Sequence, residues 1–497
     1  MFRLTATLFL VTLVSAAPAA DEPGKGKDAL HSKDITSQTK HAITLDGKKI
    51  DYEATAGTMV LKGEDGKPQA SIFYTAYIKV GEDTATRPVT FCFNGGPGSS
   101  SVWLHMGAFG PRRVAFTDDG QPLPPPAKLV ENEGSLLDLT DLVFIDPVST
   151  GFSRAADEKN AKQFHGVQED LTSVGEFIRL YTTRAGRWKS PKYLAGESYG
   201  TTRAAALANH LQSRVGMRLN GVLLVSAVLN FGTIRFDEGN DLPYTLYLPG
   251  YTATAWYHKK LEPGLQKELK ATLAEAEAFA KGEYLQALHK GLDLSDSERK
   301  SVAAKVAKYT GLSEEFVLRN DLRVEGQRFM RELLRDRGRT VGRFDSRYLG
   351  KDATDGGERP EYDPSYAAVQ GTYTEGFNSY VRGELKFESD LPYEILTGRV
   401  QPWNYGQGAT NRYLNVAPAL RSAMATNADL RVFVANGYYD LATPYAATQY
   451  TFAHLGGDRK LLDRVTMTYY EAGHMMYVHK PSLVKLKKDI AAFMAPK

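Results

Sequence analysis

Three side chains in this sequence have the types and settings needed to carry an acyl group. Ser198 stands at the centre of Gly196-Glu197-Ser198-Tyr199-Gly200, after the short run Tyr193-Leu194-Ala195 and before an Ala-rich helical stretch. In that context the motif is a nucleophile elbow, in which small residues let strand and helix approach closely and a strained turn exposes the hydroxyl. A serine hydroxyl is a weak nucleophile alone, so a histidine base and an orienting carboxylate are required. Asp440 ends Asn436-Gly437-Tyr438-Tyr439-Asp440, directly after the apolar run 432–435. His474 ends Glu471-Ala472-Gly473-His474, after the run 465–470. Both fall on loops beyond predicted strands, in the chain order Ser, Asp, His that such an elbow uses. His454 falls in a predicted helix and His479 past the loop, so both read as surface or packing histidines. A developing oxyanion needs two fixed donors. The Tyr199 N–H, next after the serine, is one. The other is expected from the loop Asn94-Gly95-Gly96-Pro97-Gly98-Ser99-Ser100, whose glycines permit close backbone approach to a ligand.

The elements that must position these residues are legible as alternating segments. Runs rich in β-branched and aromatic residues at 70–80, 89–93, 142–145, 193–195, 222–225, 431–435 and 465–470 predict strands. The later ones are nearly continuously apolar, as parallel strands covered on both faces should be. Helical patterns at 168–184 and 201–213 lie between them. The alternation predicts a doubly wound sheet with right-handed crossovers, and the elbow at Ser198 makes the expected fold a mixed sheet of the α/β-hydrolase type. Residues 261–337 carry Ala, Glu, Lys and Leu at helical spacing without a strand signal, and 342–411 read as mostly irregular. A mainly helical insertion at 236–404 is therefore expected, placed as a cap over the carboxyl ends of the strands, where open α/β sheets hold their active sites. It divides the sheet domain into 41–235 and 405–497.

Composition narrows the classes further. The chain has 497 residues, 42% hydrophobic and 24% charged, with a formal net charge of +3. So small a charge gives no reason to expect a nucleic-acid partner or an anionic membrane surface. Arg3, the apolar stretch 4–14 and Ala17-Pro18-Ala19 read as a signal peptide over 1–20. The polar segment 21–40 reads as a mobile tether. No stretch is long enough for an integral membrane span in the mature chain. The single cysteine, Cys92, excludes an intramolecular disulfide and reads as a buried structural thiol. An exported protein without disulfides fits a bacterial periplasmic or secreted origin. No histidine pair has metal-ligand spacing on a shared helix, and the Gly-rich loop lacks a dinucleotide or Walker arrangement, so neither a metal nor a cofactor is expected.

Taken together, Asn94-Gly95-Gly96-Pro97-Gly98, Gly196-Glu197-Ser198-Tyr199, Asp440 and Gly473-His474-Met475 resemble the signature blocks of the serine carboxypeptidase family, in order. The segment Asp146-Pro147-Val148-Ser149-Thr150-Gly151-Phe152-Ser153 resembles a further block of that family. The resemblance implies an exopeptidase that releases C-terminal residues of peptides through an acyl-enzyme, with Gly96 and Tyr199 as the oxyanion hole. It also implies that Asn94, Gly95 and Glu197 bind the substrate's C-terminal carboxylate and that Met475 lines the leaving-group pocket. A glutamate can hold a carboxylate only if the pair shares a proton. The chain departs from the family pattern at Cys92, at Ser99 and at Ala108, the last standing where a second acid is expected. His105, Arg112 and Arg113 are the nearby groups that could compensate. An esterase or acyltransferase on the same triad is the alternative chemistry. A non-catalytic binding protein on the same scaffold is the alternative class.

Overall fold

The computed structural model describes residues 33–495. The expected signal peptide, its cleavage site and the tether up to residue 32 lie outside the described residues. One sheet organises the molecule. Its principal strands are β1 (Ile35–Leu45), β2 (Lys48–Lys62), β3 (Pro68–Lys79), β4 (Val89–Phe93), β5 (Asp141–Ile145), β6 (Lys192–Ser198), β7 (Gly221–Ala227), β8 (Arg431–Gly437) and β9 (Val465–Tyr470). They lie in the order β1-β2-β3-β5-β4-β6-β7-β8-β9, with the short strand Arg154–Ala155 paired to β3. β1, β2 and β3 form an antiparallel meander, β3 meets β5 antiparallel, and every pairing from β5 to β9 is parallel. β4, β5 and β7 are buried at every position, which is why they read as unbroken apolar runs. This is the α/β-hydrolase fold.

All seven expected strands are present. The first two were not anticipated, and residues 35–40, read as tether, belong to β1. The chain there is polar but pairs residue for residue with β2, so backbone hydrogen bonds rather than apolar burial hold it. Helices α1 (Val167–Arg184) and α2 (Tyr199–His210) pack on one face of the sheet, within a core that includes Phe91, Leu194 and Leu224. Among the described residues no helix is long and apolar enough to cross a membrane.

The long excursion between β7 and β8 is largely helical. Its first long helix is α3 (Leu242–Tyr257), which lies within the expected insertion but ahead of the stretch with helical spacing and carries an interior Pro249. Low propensity is overridden here by burial on nearly every side. Helix Asp296–Thr310 begins with a full capping box between Ser295 and Glu298. These helices share a core of their own around Tyr251, Phe279, Val306 and Phe329. The region read as irregular contains a 20-residue helix, α4 (Pro364–Gly383), started by the Asp363 carboxylate on the Ser365 N–H. Its Val369, Tyr373, Phe377 and Tyr380 pack on the other face of the sheet with Phe73, Tyr77 and Phe144. That part of the excursion is therefore sheet core. The two internal glycines hid it, and Gly376 is required because an added Cβ would lie 2.8 Å from Val114.

Candidate active site

The strand order reverses where β4 and β6 lie side by side, and the crevice beyond their carboxyl ends is the expected place for a ligand. The loop after β4 starts at Asn94, and β6 ends at Ser198, where the chain turns into α2. Ser198 has φ +58° and ψ −129°, a conformation that costs a non-glycine residue about 1–3 kcal/mol. Strain of this kind is what lifts the side chain out of the regular strand-to-helix path. Glycine at 95 permits a close contact: an added Cβ would collide with the Tyr199 nitrogen and lie 2.6 Å from that of Gly200. The backbone at Gly95 thus lies against the first turn of α2, beside the Tyr199 N–H.

A buried ion pair locks this arrangement. Arg203, from α2, bonds Asp170 of α1 at 2.6 Å and the Asn94 carbonyl at 2.5 Å. Removing either charge would strand the other in the core, at a cost of about 3–5 kcal/mol. The far side of the loop is held by Thr397, whose N–H donates to the Gly98 carbonyl at 2.9 Å.

Asp440 and His474 meet beyond β8 and β9. The Asp440 Oδ2 lies 2.8 Å from His474 Nδ1 and also accepts from the Thr443 hydroxyl at 2.8 Å. Its Oδ1 accepts the N–H groups of Ala442 and Thr443 at 2.8 and 2.9 Å. With Nδ1 so engaged, Nε2 is the imidazole nitrogen left for proton exchange. The His474 N–H donates to the Phe344 carbonyl at 2.6 Å, and the Phe344 ring stacks on the imidazole with centroids 5.0 Å apart. Burial disfavours the imidazolium, but Asp440, with a smaller contribution from Glu197, outweighs it and holds His474 above its usual pKa. Arg343, whose guanidinium sits over the Phe344 ring at 4.4 Å, acts in the opposite sense.

Ser198 and His474 border one cavity of about 640 Å³, together with Asn94, Gly95, Gly96, Glu197, Tyr199 and Met475. The excursion between β7 and β8 supplies further walls, among them Phe236, Tyr247 and Arg343. Of the catalytic, oxyanion and substrate-binding residues expected from the sequence, all but Asp440 border this cavity, and Asp440 joins them through His474. Met475 is also part of the sheet core, so it serves packing as well. His454 is exposed, stacked on Tyr450, and His479 bonds Ser482 at the start of the last helix; neither borders the cavity.

Glu197 is the most perturbed acid of the cavity. Burial is the main cause that raises its carboxyl to about 7, against the opposing effects of His474 and of hydrogen bonds from Tyr477 and Asn94. The Tyr477 hydroxyl donates to Glu197 Oε2 at 2.6 Å. Asn94 Oδ1 accepts the Leu104 N–H at 3.1 Å, which turns its amide NH2 toward the glutamate. None of the three groups named as compensating for Ala108 does so. His105 is buried, its Nε2 2.6 Å from the Tyr77 hydroxyl, with burial lowering its pKa to about 3. Arg112 pairs with Glu384 and Arg113 with Glu133. Cys92 is buried on β4, its thiol pushed well above the usual pKa by burial.

Tyr477 and Phe344 were missed in the sequence. Tyr477 had one available signal, its place three residues past His474 on the same loop. Phe344 had none.

The doubly wound sheet, the strained serine at the end of β6 and the His–Asp pair beyond β8 and β9 define the class as an α/β hydrolase. The chain belongs to the serine carboxypeptidase family, whose model matches residues 50–480. It is 30% identical over 169 residues to serine carboxypeptidase-like 36 of Arabidopsis thaliana, a match covering 33% of this chain and 33% of that protein. It is 32% identical over 200 residues to the pheromone-processing carboxypeptidase KEX1 of Yarrowia lipolytica, covering 39% and 29%. The chain thus spans about a third of the length of the curated relatives it matches. Among solved structures, the peroxisomal α/β-hydrolase Lpx1 of Saccharomyces cerevisiae aligns with 94% of this chain and 91% of its own, at 12% identity and a TM-score of 0.34.

Proposed function

We propose that this protein is a serine-type carboxypeptidase that releases C-terminal residues from peptides through an acyl-enzyme. The observation that carries the reading is Glu197, a buried acid raised to about 7 in the same cavity as Ser198. Such a group is neutral below that pH and can donate a hydrogen bond to a carboxylate instead of repelling it. Asn94 and the Gly95 N–H complete the carboxylate subsite. Ser198 Oγ attacks the last peptide carbonyl while His474 Nε2 takes its proton. The N–H groups of Gly96 and Tyr199 hold the oxyanion. His474 then protonates the departing amino acid, which leaves past Met475, and water releases the acyl group by the same steps. The segment 236–404 acts in part as a cap, since it walls the cavity opposite the sheet.

The protein is exported, to the periplasm or outside a bacterial cell, a reading that rests on Arg3, the apolar stretch 4–14 and Ala17-Pro18-Ala19. A blocked dipeptide with a free C-terminus is expected to be cleaved at least about 100-fold faster than its amide, because the amide leaves the buried subsite unpaired. Equal rates would overturn the exopeptidase reading in favour of an esterase or acyltransferase.

Two titrations shape the pH profile of kcat/KM. His474 must be neutral, so the rate falls as pH drops through its raised pKa. Glu197 must be protonated, so the rate also falls as pH rises through about 7. The groups influence each other, so the two limbs belong to the pair. Glu197→Gln should abolish the alkaline limb for free-acid peptides. It should also move the acid limb to lower pH, because the glutamate's charge no longer favours the imidazolium. A steady-state profile in which the alkaline limb stays put would remove Glu197 from this role.

A further inference from the structure

The two carboxyl oxygens of Glu197 have unequal surroundings. Oε2 accepts the short hydrogen bond from Tyr477, a residue 2% exposed on the turn Met476–Val478. Room for the ring depends on glycine at 107, where an added Cβ would collide with the Tyr373 hydroxyl and lie 2.5 Å from Tyr477 Cε2. Burial foremost, and then the adjacent Glu197, push the Tyr477 phenol well above its usual pKa, so it remains a donor throughout the working range. A phenol carries one proton. The carbonyl oxygen of an acid accepts more strongly than its hydroxyl oxygen, so the bond from Tyr477 favours Oε2 as the carbonyl oxygen and places the proton of a neutral Glu197 on Oε1.

We propose that Tyr477 is the positioning residue of the carboxylate subsite: its hydroxyl occupies Oε2 and makes neutral Glu197 a hydrogen-bond donor through Oε1 alone, toward the substrate's C-terminal carboxylate. This rests on the carboxypeptidase reading above. The other groups that act on Glu197 are Asn94 from the loop after β4, His474 and Asp440 from the loops after β9 and β8, and Tyr373 from α4. Of these, His474 binds Asp440 through Nδ1, and among the described residues Tyr477 is the one hydroxyl whose hydrogen bond falls on a named oxygen of Glu197. Without it that preference is lost, and part of the neutral population would present an acceptor to an anion.

Tyr477→Phe keeps the ring and removes the hydroxyl. For a blocked dipeptide with a free C-terminus, KM should rise about tenfold while kcat changes less than about threefold, the effect of one lost hydrogen bond to a charged partner. The alkaline limb should also move to higher pH, because the lost bond had favoured ionised Glu197. A merely looser core would not move that limb. Replacing Tyr477 with a ring-fluorinated tyrosine, a more acidic donor of nearly the same size, should shift the limb the opposite way. Unchanged KM and an unmoved limb in either variant, with wild type still preferring the free acid over the amide, would overturn the proposal. Wild type that cleaves acid and amide equally would instead overturn the carboxypeptidase reading on which it rests.

Discussion

Ser198→Ala lowers kcat by about 10⁶-fold, leaving only the residual acceleration that substrate binding and the oxyanion donors provide. The substitution removes the hydroxyl without changing the backbone that the elbow imposes. The φ of +58° at this residue is set by its surroundings, where the loop at Gly95 presses on the start of α2 and Arg203 ties α2 to both Asn94 and α1. The variant should therefore melt at the wild-type temperature while losing both peptide cleavage and reaction with a fluorophosphonate probe. Labelling that survives in Ser198→Ala would mean another nucleophile. A wild-type protein that takes no label would point to a binding module instead of an enzyme.

Asp440→Asn costs about 10⁴-fold in kcat, although it changes one atom. The carboxamide oxygen would keep the bonds that Oδ1 accepts from the Ala442 and Thr443 N–H groups. That choice aims the NH2 at His474 Nδ1, which must then accept, so the ring proton moves to Nε2. An imidazole in that tautomer cannot take the proton of Ser198. The same change removes the main influence that raises His474, so the acid limb of the remaining activity should move to lower pH. A loss below about tenfold, with the acid limb in its wild-type place, would show that Asp440 does not orient the base.

Residues 198, 440 and 474 were readable without a structure because each sits in a local pattern that reports backbone geometry: a strand, then a short loop or elbow with glycine at the tight point. The parallel centre of the sheet was readable for a similar reason, since burial on both faces leaves continuous apolar runs. β2 had a readable signal too, in the alternation of Ile50, Tyr52, Ala54 and Ala56, each of them buried. β1 and α4 are harder cases. One is a polar edge held by register, and the other is a helix of modest propensity held by a sheet face that lies far away in sequence.

The amino-acid sequence by itself determined the chemistry available here: a serine, an aspartate and a histidine in a workable order, a glycine loop for close approach, and an acid beside the nucleophile. Only the tertiary structure decided the state of that acid. Its elevated pKa comes from burial, and the hydroxyl on Oε2 comes from a tyrosine 280 positions along the chain. Phe344, which stacks on the base, likewise arrives from the far side of the β7–β8 excursion. Desolvation and the direction of a hydrogen bond depend on how distant segments pack, and no spacing of residues along the chain encodes them locally.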